Sequence, residues 1–115
     1  MKAYLKNYRQ SPRKVRLVVD AVRGKRVADA LTQLDFMPKR ASRAVSKLIA
    51  SAAANATQNF NVDASTLSVK EIRVDEGMTL KRIRPRSRGM AHRINKRTSN
   101  IMVTLAPIEA KTKKA

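Results

Sequence analysis

Eight cations, Lys81, Arg82, Arg84, Arg86, Arg88, Arg93, Lys96 and Arg97, fall within a stretch from Gly77 to Ile108 that contains no acidic residue. Guanidinium and ammonium groups stay charged at neutral pH and match phosphate oxygens in geometry and sign. The chemistry they offer is charge neutralisation of a polyanion, not bond making. In an extended strand alternate side chains share a face, so Arg82, Arg84, Arg86 and Arg88 are expected to form one ladder with a rung roughly every 6.6 Å. Such a ladder suits phosphate far better than a hydrophobic core.

Groups able to break bonds are scarce. His92 is the only histidine, and no carboxylate lies near it in sequence to orient it as a base. It reads as a solvated or RNA-stacking side chain. Asp75 and Glu76, next to Gly77, read as a turn or a salt bridge to nearby cations rather than a metal pair. With no cysteine there is neither a disulfide framework nor a thiolate site. Gly24, Gly77 and Gly89 are the only glycines, which rules out a P-loop. No catalytic residue, metal or cofactor is expected.

The rest of the chain repeats the same charge bias. Lys and Arg number 26 against 8 acids, a formal net charge of +18 over 115 residues. Arg9, Arg13, Lys14 and Arg16 surround a helix start whose free N–H groups favour phosphate; Lys25 and Arg26 follow that helix, and Lys39, Arg40, Arg43 and Lys47 decorate a later one. The imbalance points to nucleic acid. A membrane partner is not expected, because the most basic segment reads as extended rather than as an amphipathic helix and no run approaches the roughly 20 apolar residues of a span. The amino terminus lacks the apolar run of a secretory signal, so an intracellular protein is expected. Tyr4, Tyr8, Phe36 and Phe60 are the only aromatics and none lies in the basic stretch. Recognition there should rest on phosphate, 2′-hydroxyl and shape.

The apolar spacing supplies the elements that carry these cations. Ser11-Pro12 opens a helix, with a hydroxyl able to cap and a proline at the first position; Val15, Val18, Val19 and Val22 form its buried stripe up to a stop at Gly24. Val27, Ala30, Leu31 and Leu34 mark a second helix ending before Pro38. That proline can open a third, with Ala41, Ala44, Val45, Leu48, Ile49, Ala52 and Ala56 on its apolar face, and Asn55 to Asp63 reads as helix end and loop. Leu67 and Val69 alternate in one phase and Ile72 and Val74 in the other, which predicts a bulge or a switch of buried face. Ile101, Val103 and Leu105 make a closing strand, and residues 2–8 can add an edge. The fold class is therefore α+β: three helices packed on a small antiparallel three-stranded sheet with a long protruding β-hairpin. One domain is expected, with body 1–77 and 100–109, an extended arm 78–99 turning near Gly89, and a basic disordered tail 110–115. Each leg of the arm has about eleven residues and reaches roughly 35 Å.

Several stretches taken in order resemble one family. They are Ser11 to Asp20, Arg23-Gly24-Lys25, Ala53-Ala54-Asn55-Ala56, Val69 to Ile72, Val74 to Gly77, Leu80-Lys81-Arg82, Arg84-Pro85-Arg86 and Lys96 to Ser99. Together these are similar to the large-subunit ribosomal protein family numbered twenty-two. The resemblance implies a body on the outer surface of the large ribosomal subunit and a hairpin running inward between rRNA segments. It also implies a tip, Arg88, Gly89, Met90, Ala91, His92 and Arg93, that lines the peptide exit tunnel. The implied partners are several domains of large-subunit rRNA, neighbouring ribosomal proteins and the nascent polypeptide. The implied role is structural, including early assembly, in the cytoplasmic ribosome. A DNA-bending architectural protein with basic ribbon arms is the alternative, since such arms carry an apolar wedge that Met90 could supply.

Overall fold

A computed structural model describes residues 2–107. In chain order it contains β1 (Lys2–Tyr8), α1 (Pro12–Val22), α2 (Val27–Phe36), α3 (Arg40–Phe60), a 3-10 turn (Ala64–Thr66), β2 (Leu67–Pro85), a second 3-10 turn (Ser87–Gly89) and β3 (Ala91–Pro107). The sheet is antiparallel in the order β1-β3-β2, so the last strand is central. Three helices with a three-stranded antiparallel sheet make the α+β class expected from the pattern. The proposed tail at 110–115 lies outside the described residues.

The core forms where the apolar stripes meet. Val15, Val18, Val19 and Val22 of α1 and Val45, Ile49, Ala52 and Ala56 of α3 pack with Ala3, Leu67, Val69, Ile72, Val74, Ile101, Val103 and Leu105 of the sheet. Each fully buried Val, Leu or Ile contributes about 1.5–3 kcal/mol relative to exposure, which holds a valine-rich helix of weak intrinsic propensity. The phase change in β2 is a bulge between Val69 and Glu71. It lets Leu67, Val69, Ile72 and Val74 all face the core although their spacing skips a beat.

Three local expectations need correction. Ser11 stands at the N-cap of α1, but its side chain makes no capping bond; its carbonyl instead accepts from the Lys14 and Val15 amides, each at 3.2 Å. Pro38 does not open α3, which starts at Arg40. The proline holds Met37 extended, and the Ser42 hydroxyl donates to the Lys39 carbonyl at 2.7 Å to secure the first turn. Asn55 to Phe60 is helix, not loop. Ala52, Ala53 and Ala56 keep the buried stripe going, and the helix stops only at left-handed Asn61, where the Val62 amide donates to the Ala56 carbonyl at 3.2 Å.

Ser99 is the first residue of β3 paired with β1, and the part of β3 that precedes it is paired with β2 alone. There the pairing runs from Thr79↔Arg97 to Pro85↔Ala91. The chain accordingly measures 65 × 27 × 22 Å, with a radius of gyration of 17.6 Å, against about 13 Å for a compact chain of about 100 residues.

Candidate nucleic-acid interface

Residues directly opposite in an antiparallel ladder share a face. One face of the ribbon therefore carries Leu80, Arg82 and Arg84 with their partners Lys96, Ile94 and His92, and the other carries Thr79, Lys81, Ile83 and Pro85 with Arg97, Asn95, Arg93 and Ala91. Cations stand on both faces, three on each: Arg82, Arg84 and Lys96, then Lys81, Arg93 and Arg97. All six are exposed. Among the described residues Arg97 is the one arm cation with a carboxylate within reach, Glu76 at 3.9 Å. Charges about 6.6 Å apart repel by about 0.6 kcal/mol in water, a tolerable cost per pair that accumulates along the ribbon until an external polyanion offsets it.

The expected ladder is shorter than its sequence spacing implied. Arg82 and Arg84 are regular rungs, and Arg86 remains extended at φ −123 and ψ −179. Arg88 is not a rung: Ser87–Gly89 is a 3-10 turn in which Arg88 has φ 61 and ψ 30. Gly89 has φ 73, so its freedom from a side chain is used as anticipated. The Arg86 amide donates to the Met90 carbonyl at 2.6 Å, closing a tip formed by residues 86–90. Arg88, Met90, Ala91, His92 and Arg93 are all exposed around it.

Where the three-stranded sheet narrows to two, both neighbours of β3 bulge. β1 shifts register between Leu5 and Tyr8, and β2 between Glu76 and Thr79. The segment from Asp75 to Gly77 is thus strand followed by a bulge, not the turn anticipated, although the expected ion pair of Glu76 is present. Thr98 and Ser99 are buried there. The Thr98 hydroxyl donates to the Met78 carbonyl, the Ser99 hydroxyl to the Gln10 carbonyl at 2.7 Å, and Asn100 Oδ1 accepts from the Asn7 amide at 3.0 Å. This polar knot ties the base of the ribbon to β1 and to the connection that leads into α1. In the sequence Lys96 to Ser99 stands out only as a motif, because the partners of Ser99 and Asn100 in the knot lie far away in the chain.

The body cations divide into two groups. Arg9, Arg13, Lys14 and Lys25 have exposed side chains; Arg13 and Lys14 border a groove at the start of α1 that also includes Glu76 and Arg97. Arg16 is exposed and lines the same groove, but its guanidinium is also engaged, donating through Nε and Nη2 to the Val74 carbonyl at 3.3 and 2.9 Å. Arg23 does the same for the Ile72 carbonyl at 2.9 Å, and the Val69 amide donates to the Lys25 carbonyl at 2.8 Å. Together they cover the outer edge of β2 beside the core, where unpaired backbone would otherwise invite another strand.

The comparison with known sequences follows the same span as the core and ribbon. A model of the family described as ribosomal protein L22p/L17e matches residues 3–106. The chain belongs to that family. The large ribosomal subunit protein uL22 of Desulfitobacterium hafniense (strain DSM 10664 / DCB-2) is 56% identical over 104 residues, covering 90% of this chain and 91% of that protein. The protein of the same name from Lactobacillus helveticus (strain DPC 4571) is 51% identical over 105 residues, covering 91% and 90% respectively. The L22p/L17e match includes every cation discussed above, and it bears out the resemblance read from the motifs.

Proposed function

We propose that this chain is a structural, non-enzymatic constituent of the large ribosomal subunit in the cytoplasmic ribosome. It binds large-subunit rRNA through its basic body and the β2–β3 ribbon. The observation that carries this reading is the two-faced charge of the ribbon. A ribbon laid on one surface needs cations on one side only, whereas one threaded between phosphate-bearing segments needs them on both. Contacts to several rRNA domains at once would hold separate parts of the RNA together and favour early assembly alongside neighbouring ribosomal proteins.

Within this reading the division is a body at 1–77 and 100–109 and an arm at 78–99. The exposed cluster at 88–93 is the part furthest from the core, and it lines the path of the nascent polypeptide. Its contribution there is bulk and local positive potential, not acid–base chemistry.

A crosslink map of rRNA from purified large subunits tests the proposal. Crosslinks from both ribbon faces to different rRNA segments are expected, together with crosslinks from the tip to a nascent chain. Contacts confined to one face, or stronger binding to duplex DNA than to rRNA, would refute it; the latter would favour a DNA-bending protein.

A further inference from the structure

Away from the ribbon, a groove of about 1100 Å³ runs between the free edge of β1, the end of α2 and one side of α3. Tyr4 and Tyr8 line it from the strand, Arg40, Arg43 and Lys47 from the helix, and Asp35 is the only acid among its lining residues. The spacing of Arg40, Arg43 and Lys47 places them on one exposed stripe of α3. Tyr4 is 61% exposed. Tyr8 is half-buried and rests on the core.

We propose that this groove is a second RNA site, one that takes an unpaired nucleotide segment by stacking a base on the exposed ring of Tyr4 while Arg40, Arg43 and Lys47 hold the adjoining phosphates. The inference rests on the rRNA-binding reading above and names a distinct site and RNA form within it. The cationic wall sets the sign of the ligand. The Tyr4 ring separates an unpaired strand from a duplex, because base–aromatic stacking needs a base free of its own helix. Size agrees, since the groove is comparable to a pocket for a drug-sized ligand, enough for a few nucleotides and too small for a double helix. An acidic peptide would satisfy the cations but leave the exposed ring without a planar partner.

The chain has two tyrosines and no tryptophan, and because Tyr8 also pairs with Ser99 at the base of the ribbon, the part of the emission change that is lost in Tyr4→Phe is the part that reports on the groove. Titration with a short single-stranded oligouridylate should quench that emission, and an RNA duplex of equal charge should bind without quenching it. Tyr4→Leu should weaken oligouridylate binding about tenfold, equivalent to about 1.4 kcal/mol, and leave duplex binding unchanged. Tyr4→Phe should restore it. Oligouridylate binding without quenching, or equal affinity in Tyr4→Leu, would overturn the site while leaving the ribbon's role intact. Equal quenching by polyglutamate would overturn it in favour of an acidic protein partner. Failure of the folded chain to bind either RNA would overturn the parent reading as well.

Discussion

Gly77 offers the sharpest test of how the base of the ribbon is packed. A Cβ added there would lie 2.7 Å from Thr98 Oγ1 and 3.0 Å from Asn100 Oδ1, well inside ordinary contact. The neighbours cannot easily give way: Thr98 is 3% exposed, its hydroxyl donates to the Met78 carbonyl, and Asn100 is engaged by the Asn7 amide. Overpacking of this kind costs about 1–3 kcal/mol, and turning the Thr98 hydroxyl away loses about 0.5–1.5 kcal/mol more. Gly77→Ala should thus destabilise the free chain by about 2–3 kcal/mol, lowering Tm by about 8–12 °C at roughly 4 °C per kcal/mol for a chain of this length. Circular dichroism melts and urea titrations would measure it. The decisive comparison is a double-mutant cycle. Thr98→Ala removes the clashing oxygen, so Gly77→Ala in that background should cost less by about 1 kcal/mol, outside the roughly 0.3–0.5 kcal/mol within which independent sites add. Additive effects, or an unchanged Tm in Gly77→Ala, would show that the knot at the base of the ribbon is loosely packed and refute the reasoning.

The remaining predictions concern cations and the tip. Arg16→Ala should lower stability by about 1 kcal/mol through the lost bonds to the Val74 carbonyl, whereas Arg13→Ala should leave the melt unchanged and weaken rRNA binding; identical behaviour of the two would contradict their division. Alanine at Arg82, Arg84 and Arg86 together should leave Tm unchanged or slightly raised, because like-charge repulsion is relieved. If about eight phosphates are neutralised by the native protein, log affinity should fall against log salt with a slope of about −6 to −7, reduced by roughly 0.7–0.9 for each contact removed. A slope near zero would reject the electrostatic reading. Gly89→Val meets open space but must hold a β-branched residue at φ 73, so hairpin resonances and tip crosslinks should change while the core is spared. Deleting residues 90–92 removes no core residue, so subunit peaks on a sucrose gradient should be normal and arrest by a stalling peptide altered; missing large subunits would make the tip an assembly anchor instead.

Much of the architecture was legible in the chain because local spacing controls it. The valine stripe of α1, the alternation in β3 and the broken phase of β2 each report burial within a few residues, so the helices and the closing strand followed from period alone, while register decided that the break near Lys70 is a bulge and not a switch of buried face. The limits of α3 were harder. Asn55, Thr57, Gln58 and Asn59 look like loop by composition, yet they form the exposed side of a helix whose alanines stay buried. Pro38 fits the first position of a helix by type, but Met37 and Lys39 on either side of it are extended and α3 begins only at Arg40.

What the sequence by itself determined is the sign of the partner. Charge is additive and independent of conformation, so 26 cations against 8 acids demand a polyanion whatever the fold. Tertiary structure decided which cations are free to meet it. Arg13 and Arg16 are indistinguishable by type and neighbourhood, but only Arg16 reaches the Val74 carbonyl, because α1 lies against the outer edge of β2. Register likewise decided that the ribbon is charged on both faces, since Lys96, Arg93 and Arg97 fall opposite Leu80, Ile83 and Thr79. The knot at Thr98, Ser99 and Asn100 and the tyrosine groove arise the same way, from residues as far apart as Gln10 and Ser99 or Tyr8 and Lys47. A linear pattern carries period and charge; contacts across such separations exist only after the core has brought the elements together.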